Sequence, residues 1–425
     1  MTRRRPTFPQ YLRRRWRAVG LIVVLLAGGL LVLAATDRGH DPVWDARTTP
    51  LQHVVIAPDG GAVYALSLDD GNGTRLEARD EADGRLLWES PTTASRALLR
   101  AGRGEVVVAT DFPRAFLTMY DRGGDIRWQM ALEGSPRALA VDGGMVALSL
   151  QAPGNPVLVV QDGQVSRVHR FSTLVDALDL RAGRLVVGTE GGQLVAYAAD
   201  GARLANLSLP LSVRTLRLTS DGEAVVFAGF GLAPGALAGG VGAVHLGATE
   251  PVRWTRTTNL GVGLVDVDDA GRTVLAVEAA PPYGVYAYDL ATGALLWSRP
   301  AGGVVPRDDA GAYGGAAISP DGGSVVLATA SGPVRALAAR TGEPLWSYEA
   351  QGATVVAFAR DRPHEFVAAA RLVQNGPYDA VLLFSAAVEP TSARVGFVAA
   401  TLTLLAAAAA AGVLGLGFWR ARRSW

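Results

Sequence analysis

Cysteine is absent from the 425 residues, which excludes disulfides, thiolate metal sites and cysteine nucleophiles and leaves the redox compartment unreadable. Lysine is absent as well, so every cation is an arginine. Neither sign of charge dominates: a formal net charge of +1 argues against a nucleic-acid-binding surface, which needs a concentrated cationic excess to displace counterions, and no nucleic-acid partner is expected. Glycine (51) and proline (23) are plentiful without any collagen triplet, and Val, Leu and Thr alternate with polar residues, so many short strands and tight turns are expected.

Two apolar runs frame the chain. Ala18 to Ala35 is uncharged and, at ~1.5 Å per residue, would span ~27 Å as a helix; Val395 to Trp419 would span ~37 Å, enough to cross a bilayer with tilt. Arginines crowd the outer side of each: Arg3, Arg4, Arg5, Arg13, Arg14, Arg15 and Arg17 before the first, Arg420, Arg422 and Arg423 after the second. Both termini are therefore expected in the cytoplasm, with the middle of the chain outside. Trp16, Trp419 and Trp425 fall where an interfacial aromatic belt belongs. A cleaved signal peptide is the alternative for the first run, with "VLA" at Val32 to Ala34 as the cleavage site; the exterior location survives either way.

Between the runs the sequence repeats. Aligned on tryptophan, "GRLLWES" (Gly84 to Ser90), "GDIRWQM" (Gly124 to Met130), "EPVRWTR" (Glu250 to Arg256), "GALLWSR" (Gly293 to Arg299) and "GEPLWSY" (Gly342 to Tyr348) recur about every 42 residues or a multiple of it, the period of a propeller blade. Each unit begins with a strand, an Asp/Gly turn and a second apolar strand, as in "VVIAPDGGAVYALS" (Val54 to Ser67) and "AAISPDGGSVVLAT" (Ala316 to Thr329). Two units without the tryptophan fill the gap between Trp128 and Trp254. Seven units are complete, and an eighth, Thr354 to Ala386, supplies three strands and stops. "PVWDARTT" (Pro42 to Thr49), alone ahead of the first unit, supplies the missing outer strand; without it the last sheet would keep an open edge. The expected fold is an all-β, eight-bladed β-propeller with an N-terminal strand closing the last blade, flanked by one transmembrane helix at each end. Its layout is a basic tail (1–17), a helix (18–35), the propeller (43–388), a second helix (395–419) and a basic tail (420–425).

The pattern Ala287 to Trp297, "AYDLATGALLW", resembles the repeats of PQQ-like β-propellers, a family that includes quinoprotein dehydrogenases and an outer-membrane assembly lipoprotein. "SPDGG" is similar to the turns of YVTN and WD40-like propellers. The quinoprotein resemblance implies bound PQQ, a calcium ion with acidic and amide ligands, and usually a vicinal disulfide. The disulfide is impossible here and no residues match the calcium ligands, so no cofactor is expected.

Other chemical signals are weak. Asp266, Asp268, Asp269 and Gly271 resemble a calcium loop, but Ala270 stands at a ligand position and no closing Glu follows, so a turn is expected instead. "HEFVA" (His364 to Ala368) lacks the second histidine of a zincin, and neither a metal site nor a catalytic residue is assigned. Longer insertions collect in connections on the face away from the chain ends, and the candidate contacts there are Phe112, Arg114, Tyr283, Arg307, Asp308, Asp309, Tyr313 and Tyr378. The expected role is a non-enzymatic protein- or ligand-binding module, or an assembly module, held in the plasma membrane with a protein partner. A quinoprotein-like oxidoreductase and a ligand sensor signalling through a membrane partner are the alternatives.

Overall fold

Strands of the computed structural model form eight four-stranded antiparallel sheets, each running from an innermost to an outermost strand. The structure describes residues 42–48, 51–68, 73–92, 97–111, 114–232, 238–247, 252–280, 283–300, 315–328, 333–371 and 379–385. These belong to a unit spanning His40–Ala386; the flanking segments Met1–Gly39 and Ala387–Trp425, with both apolar runs, lie outside the described residues. Among the described residues no helix is long and apolar enough to cross a membrane.

Seven blades are contiguous in sequence, and the first, built from Leu51–Ile56, Ala62–Leu68, Thr74–Asp80 and Leu86–Thr92, sets the pattern. The second strand of a blade is covered on both faces by its neighbours, so it reads as an unbroken apolar run rather than an alternating one. Glu105–Thr110, "EVVVAT", is buried throughout. The outermost strand has one face in solvent and alternates, as Ile126–Ala131 does. In all seven blades the third strand meets the outermost one through a register shift one or two residues before the tryptophan position, for example between Ala78 and Arg79. Such bulges add right-handed twist to the outer edge of each sheet.

The eighth blade is assembled from both ends of the propeller. Gln351–Ala359, Arg362–Arg371 and Asp379–Ser385 are its three inner strands, and Trp44–Thr48 is the fourth. Its register runs from Trp44 opposite Leu383 to Thr48 opposite Asp379, and the Val43 amide adds a bond to the Leu383 carbonyl at 2.7 Å. The first strand therefore starts, and the last strand ends, on the face that carries the turns between innermost and second strands.

Each of the eight hydrophobic clusters joins one pair of neighbouring blades. At the seam, Trp44 packs with Val54, Ile56 and Val63 of blade 1 and with Val355, Val367 and Val381 of blade 8. The ring closure is thus as apolar as any interface within the continuous chain.

Candidate functional site

The repeated tryptophans join blade to blade. Nε1 of Trp44, Trp88, Trp254 and Trp297 donates to the carbonyl oxygen of Glu81, Arg122, Leu290 and Ala339, each in the next blade, at 2.6, 2.8, 2.7 and 2.7 Å. The indoles lie on turn glycines of that blade: a Cβ on Gly84 would stand 2.7 Å from Trp44, and one on Gly293 2.5 Å from Trp254. Both glycines have positive φ, so the turn and the close approach require the same residue type. Trp44, ahead of every repeat, makes the same clasp across the seam.

The seam also carries a buried carboxylate. Glu81 Oε2 accepts the Gly61 amide at 2.5 Å and Arg362 Nη1 at 3.0 Å, while Arg362 reaches Glu365 at 3.2 Å. Burial, and then a hydrogen bond shared with Glu365, push the Glu81 carboxyl up to about 7.

Around the axis the innermost strands present one residue per blade at a common level: Val55, Arg100, Ala140, Asp179, Arg217, Asp266, Ala317 and Phe358. The two aspartates hold neighbouring strands in place. Asp179 accepts the amides of Leu180 (3.0 Å) and, in the next blade, Leu218 (2.8 Å); Asp266 accepts those of Val267 (3.0 Å) and Ile318 (3.1 Å). Burial raises the pKa of Asp266, opposed by Arg217, whose Nε is 3.7 Å away.

Nearer the turn face, ion pairs skip a blade. Arg181 of blade 4 reaches Asp269 of blade 6 at 2.5 Å, and Arg103 of blade 2 reaches Asp361 of blade 8 at 3.0 Å. Only turns that converge on the axis can make such pairs. Toward the opposite face, bulges in the innermost strands place Arg137, Asp176 and Arg214 side by side in blades 3, 4 and 5. Asp176 accepts Arg137 Nη2 at 2.5 Å and Arg214 Nη1 at 2.6 Å.

Of the expected contact residues, Phe112, Arg307, Asp308, Asp309, Tyr313 and Tyr378 lie outside the described residues. Arg114 is exposed in the blade 2 connection, where its carbonyl accepts Thr110 Oγ1 at 3.4 Å. Tyr283 has a positive φ and is half-buried, packed against the cluster between blades 6 and 7. Blades 2 and 6 stand four apart in the ring of eight, so the fold does not bring these two residues together. The axial charges are absent from that set. Their signal was a charged residue at an inward position of an otherwise apolar first strand, as in "LDLR" (Leu178 to Arg181) and "VDVD" (Val265 to Asp268).

The described residues do not fit the quinone and calcium that the resemblance implies. Four of the tryptophans direct both ring and N–H into the next blade, and both oxygens of Asp179 and Asp266 already accept backbone amides. The stretch after Asp266 is a turn, in which the Gly271 amide bonds the Asp268 carbonyl at 3.0 Å. Among the described residues no three acidic or histidine side chains are grouped to hold a metal.

An eight-bladed ring clasped by tryptophan-on-glycine contacts is a PQQ-like β-propeller. The family model described as outer membrane protein assembly factor BamB matches residues 20–169, 72–299 and 238–376, well over half of the chain, which belongs to this family. Solved structures are similar in fold. The computationally designed Ika8 protein has a TM-score of 0.58 at 17% identity, over 79% of this chain and 96% of its own. The Dos1 propeller gives 0.59 at 13% identity, over 81% and 95%. The β-propeller domain of Cps50 (Swd1) from Myceliophteria thermophila gives 0.50 at 12% identity, over 81% and 99%. At these identities the likeness is one of fold alone. No curated protein matches the chain.

Proposed function

We propose that the protein is a membrane-anchored scaffold whose propeller stands on the outer side of a cell membrane and acts as a non-enzymatic binding or assembly module. The observation that carries this reading is the pairing of Trp44–Thr48 with Asp379–Ser385, which brings both ends of the propeller to one face. The membrane-length apolar runs follow through short linkers, and their arginine-rich outer flanks favour cytoplasmic termini. The opposite face, with its longer connections, is then presented away from the bilayer, where rigid scaffolds concentrate binding residues. The family description names an assembly factor, which supports the assembly role.

Because the chain has no cysteine, single substitutions report topology cleanly. A membrane-impermeant maleimide applied to intact cells should label Arg114→Cys and spare Thr2→Cys and Ser424→Cys. Labelling of the two termini but not of Arg114→Cys would refute the reading. In mild detergent, a stoichiometric partner lost on Arg114→Glu, but kept on Arg85→Glu at the outer rim, supports assembly.

A further inference from the structure

Beneath the converging turns the axis widens into a recess of about 110 Å³, lined by Arg100, Arg103, Arg181, Arg217 and Arg360 together with Asp142, Asp179 and Asp361. Guanidinium groups outnumber carboxylates five to three. Asp179 spends both oxygens on backbone amides, and three of the guanidiniums are each paired on one side, Arg103 with Asp361 at 3.0 Å, Arg181 with Asp269 at 2.5 Å and Arg217 with Asp266 at 3.7 Å. Innermost strands carry Arg100, Arg181 and Arg217 and the adjoining turns carry Arg103 and Arg360, so the cost of gathering like charges was met when the ring folded. Phe358 and Val55 supply apolar wall, which lowers the local dielectric and strengthens charge-assisted hydrogen bonds. At about 30 Å³ per water molecule, the recess holds the volume of three to four waters, the size of one tetrahedral oxyanion. An arginine fork matches phosphate oxygens in pairs, and a guanidinium engaged along one edge still carries donors on another.

We propose that the axial recess is a binding site for a phosphate-type oxyanion, either the free ion or the phosphomonoester headgroup of a lipid. The site belongs to the propeller itself, so it stands or falls independently of the membrane topology argued above. Full-length protein in phosphatidylcholine nanodiscs is titrated with inorganic phosphate, with chloride at matched ionic strength as the reference, and followed by thermal unfolding and calorimetry. Phosphate should raise Tm saturably. The midpoint concentration should increase at least tenfold in Arg100→Gln and in Arg360→Gln and stay unchanged in Arg85→Gln on the exposed outer rim. Should the first two variants fail to fold, Arg103→Gln, with a largely exposed side chain at the mouth, should still weaken binding several-fold. A Tm rise no greater than that with chloride, or one retained in every recess variant, overturns the proposal. Nanodiscs containing phosphatidic acid separate the two sources: loss of the response to free phosphate places the headgroup in the recess, and an undiminished response makes the free ion the ligand.

Discussion

Trp44→Ala should open the ring at its seam. Trp44 is 8% exposed, and the other side chains described in its strand are small or polar: exposed Asp45, part-buried Ala46, and Thr48, whose hydroxyl reaches Glu77 at 3.3 Å. One indole thus provides nearly all of the apolar anchorage of the closing strand. Truncating a buried tryptophan costs about 3–5 kcal/mol, which includes the lost Nε1 bond to the Glu81 carbonyl at 2.6 Å. That cost is concentrated. No hairpin ties Trp44–Thr48 to its blade, whereas the strand bearing Trp88 follows its partner strand through a tight turn. Hydrogen exchange on the full chain in detergent should show amides of residues 43–48 and 379–385 losing protection by about two to four orders of magnitude in Trp44→Ala. The rest of the propeller should keep its protection at first. Trp88→Ala, which removes an equivalent bond at 2.8 Å, should leave the seam protected. A loss under about 1 kcal/mol, or deprotection spread evenly over all blades, would refute the idea that the tryptophan clasp closes the ring.

The seam should also respond to pH. Glu81 has a folded pKa pushed up to about 7, above its unfolded value, so folding takes up a proton between the two. Stability should therefore be highest near and below pH 4.5 with respect to this group and fall by up to about 3 kcal/mol as pH rises to 7. Glu81→Gln should flatten that slope in urea titrations, and an unchanged slope would remove Glu81 as its source. Turn glycines separate backbone strain from contact. Gly293→Ala meets both a positive φ and the Trp254 ring at 2.5 Å, whereas Gly247→Ala, at φ +88°, meets nothing within 4 Å. The first should cost about 3 kcal/mol or more and the second about 1–2, measured as a difference in denaturant midpoints. Equal losses would mean that the indole contact contributes nothing.

The number of blades and the closing strand were legible because their causes are local. Asp/Gly turns, buried second strands and a tryptophan set just past a turn glycine recur along the chain, and the unmatched "PVWDARTT" fitted the one blade that lacked an outer strand. The candidate site was less legible. Arg181 and Asp269 are 88 residues apart and two blades apart, and nothing in either repeat records that their turns converge on the axis. Arg137, Asp176 and Arg214 meet only because bulges occur at matching points of three neighbouring strands. Periodicity sets which residues of a strand face inward. Which inward charges become neighbours depends on the closure of the ring, so the repeat determined the propeller and only its tertiary structure gathered the arginines of the recess.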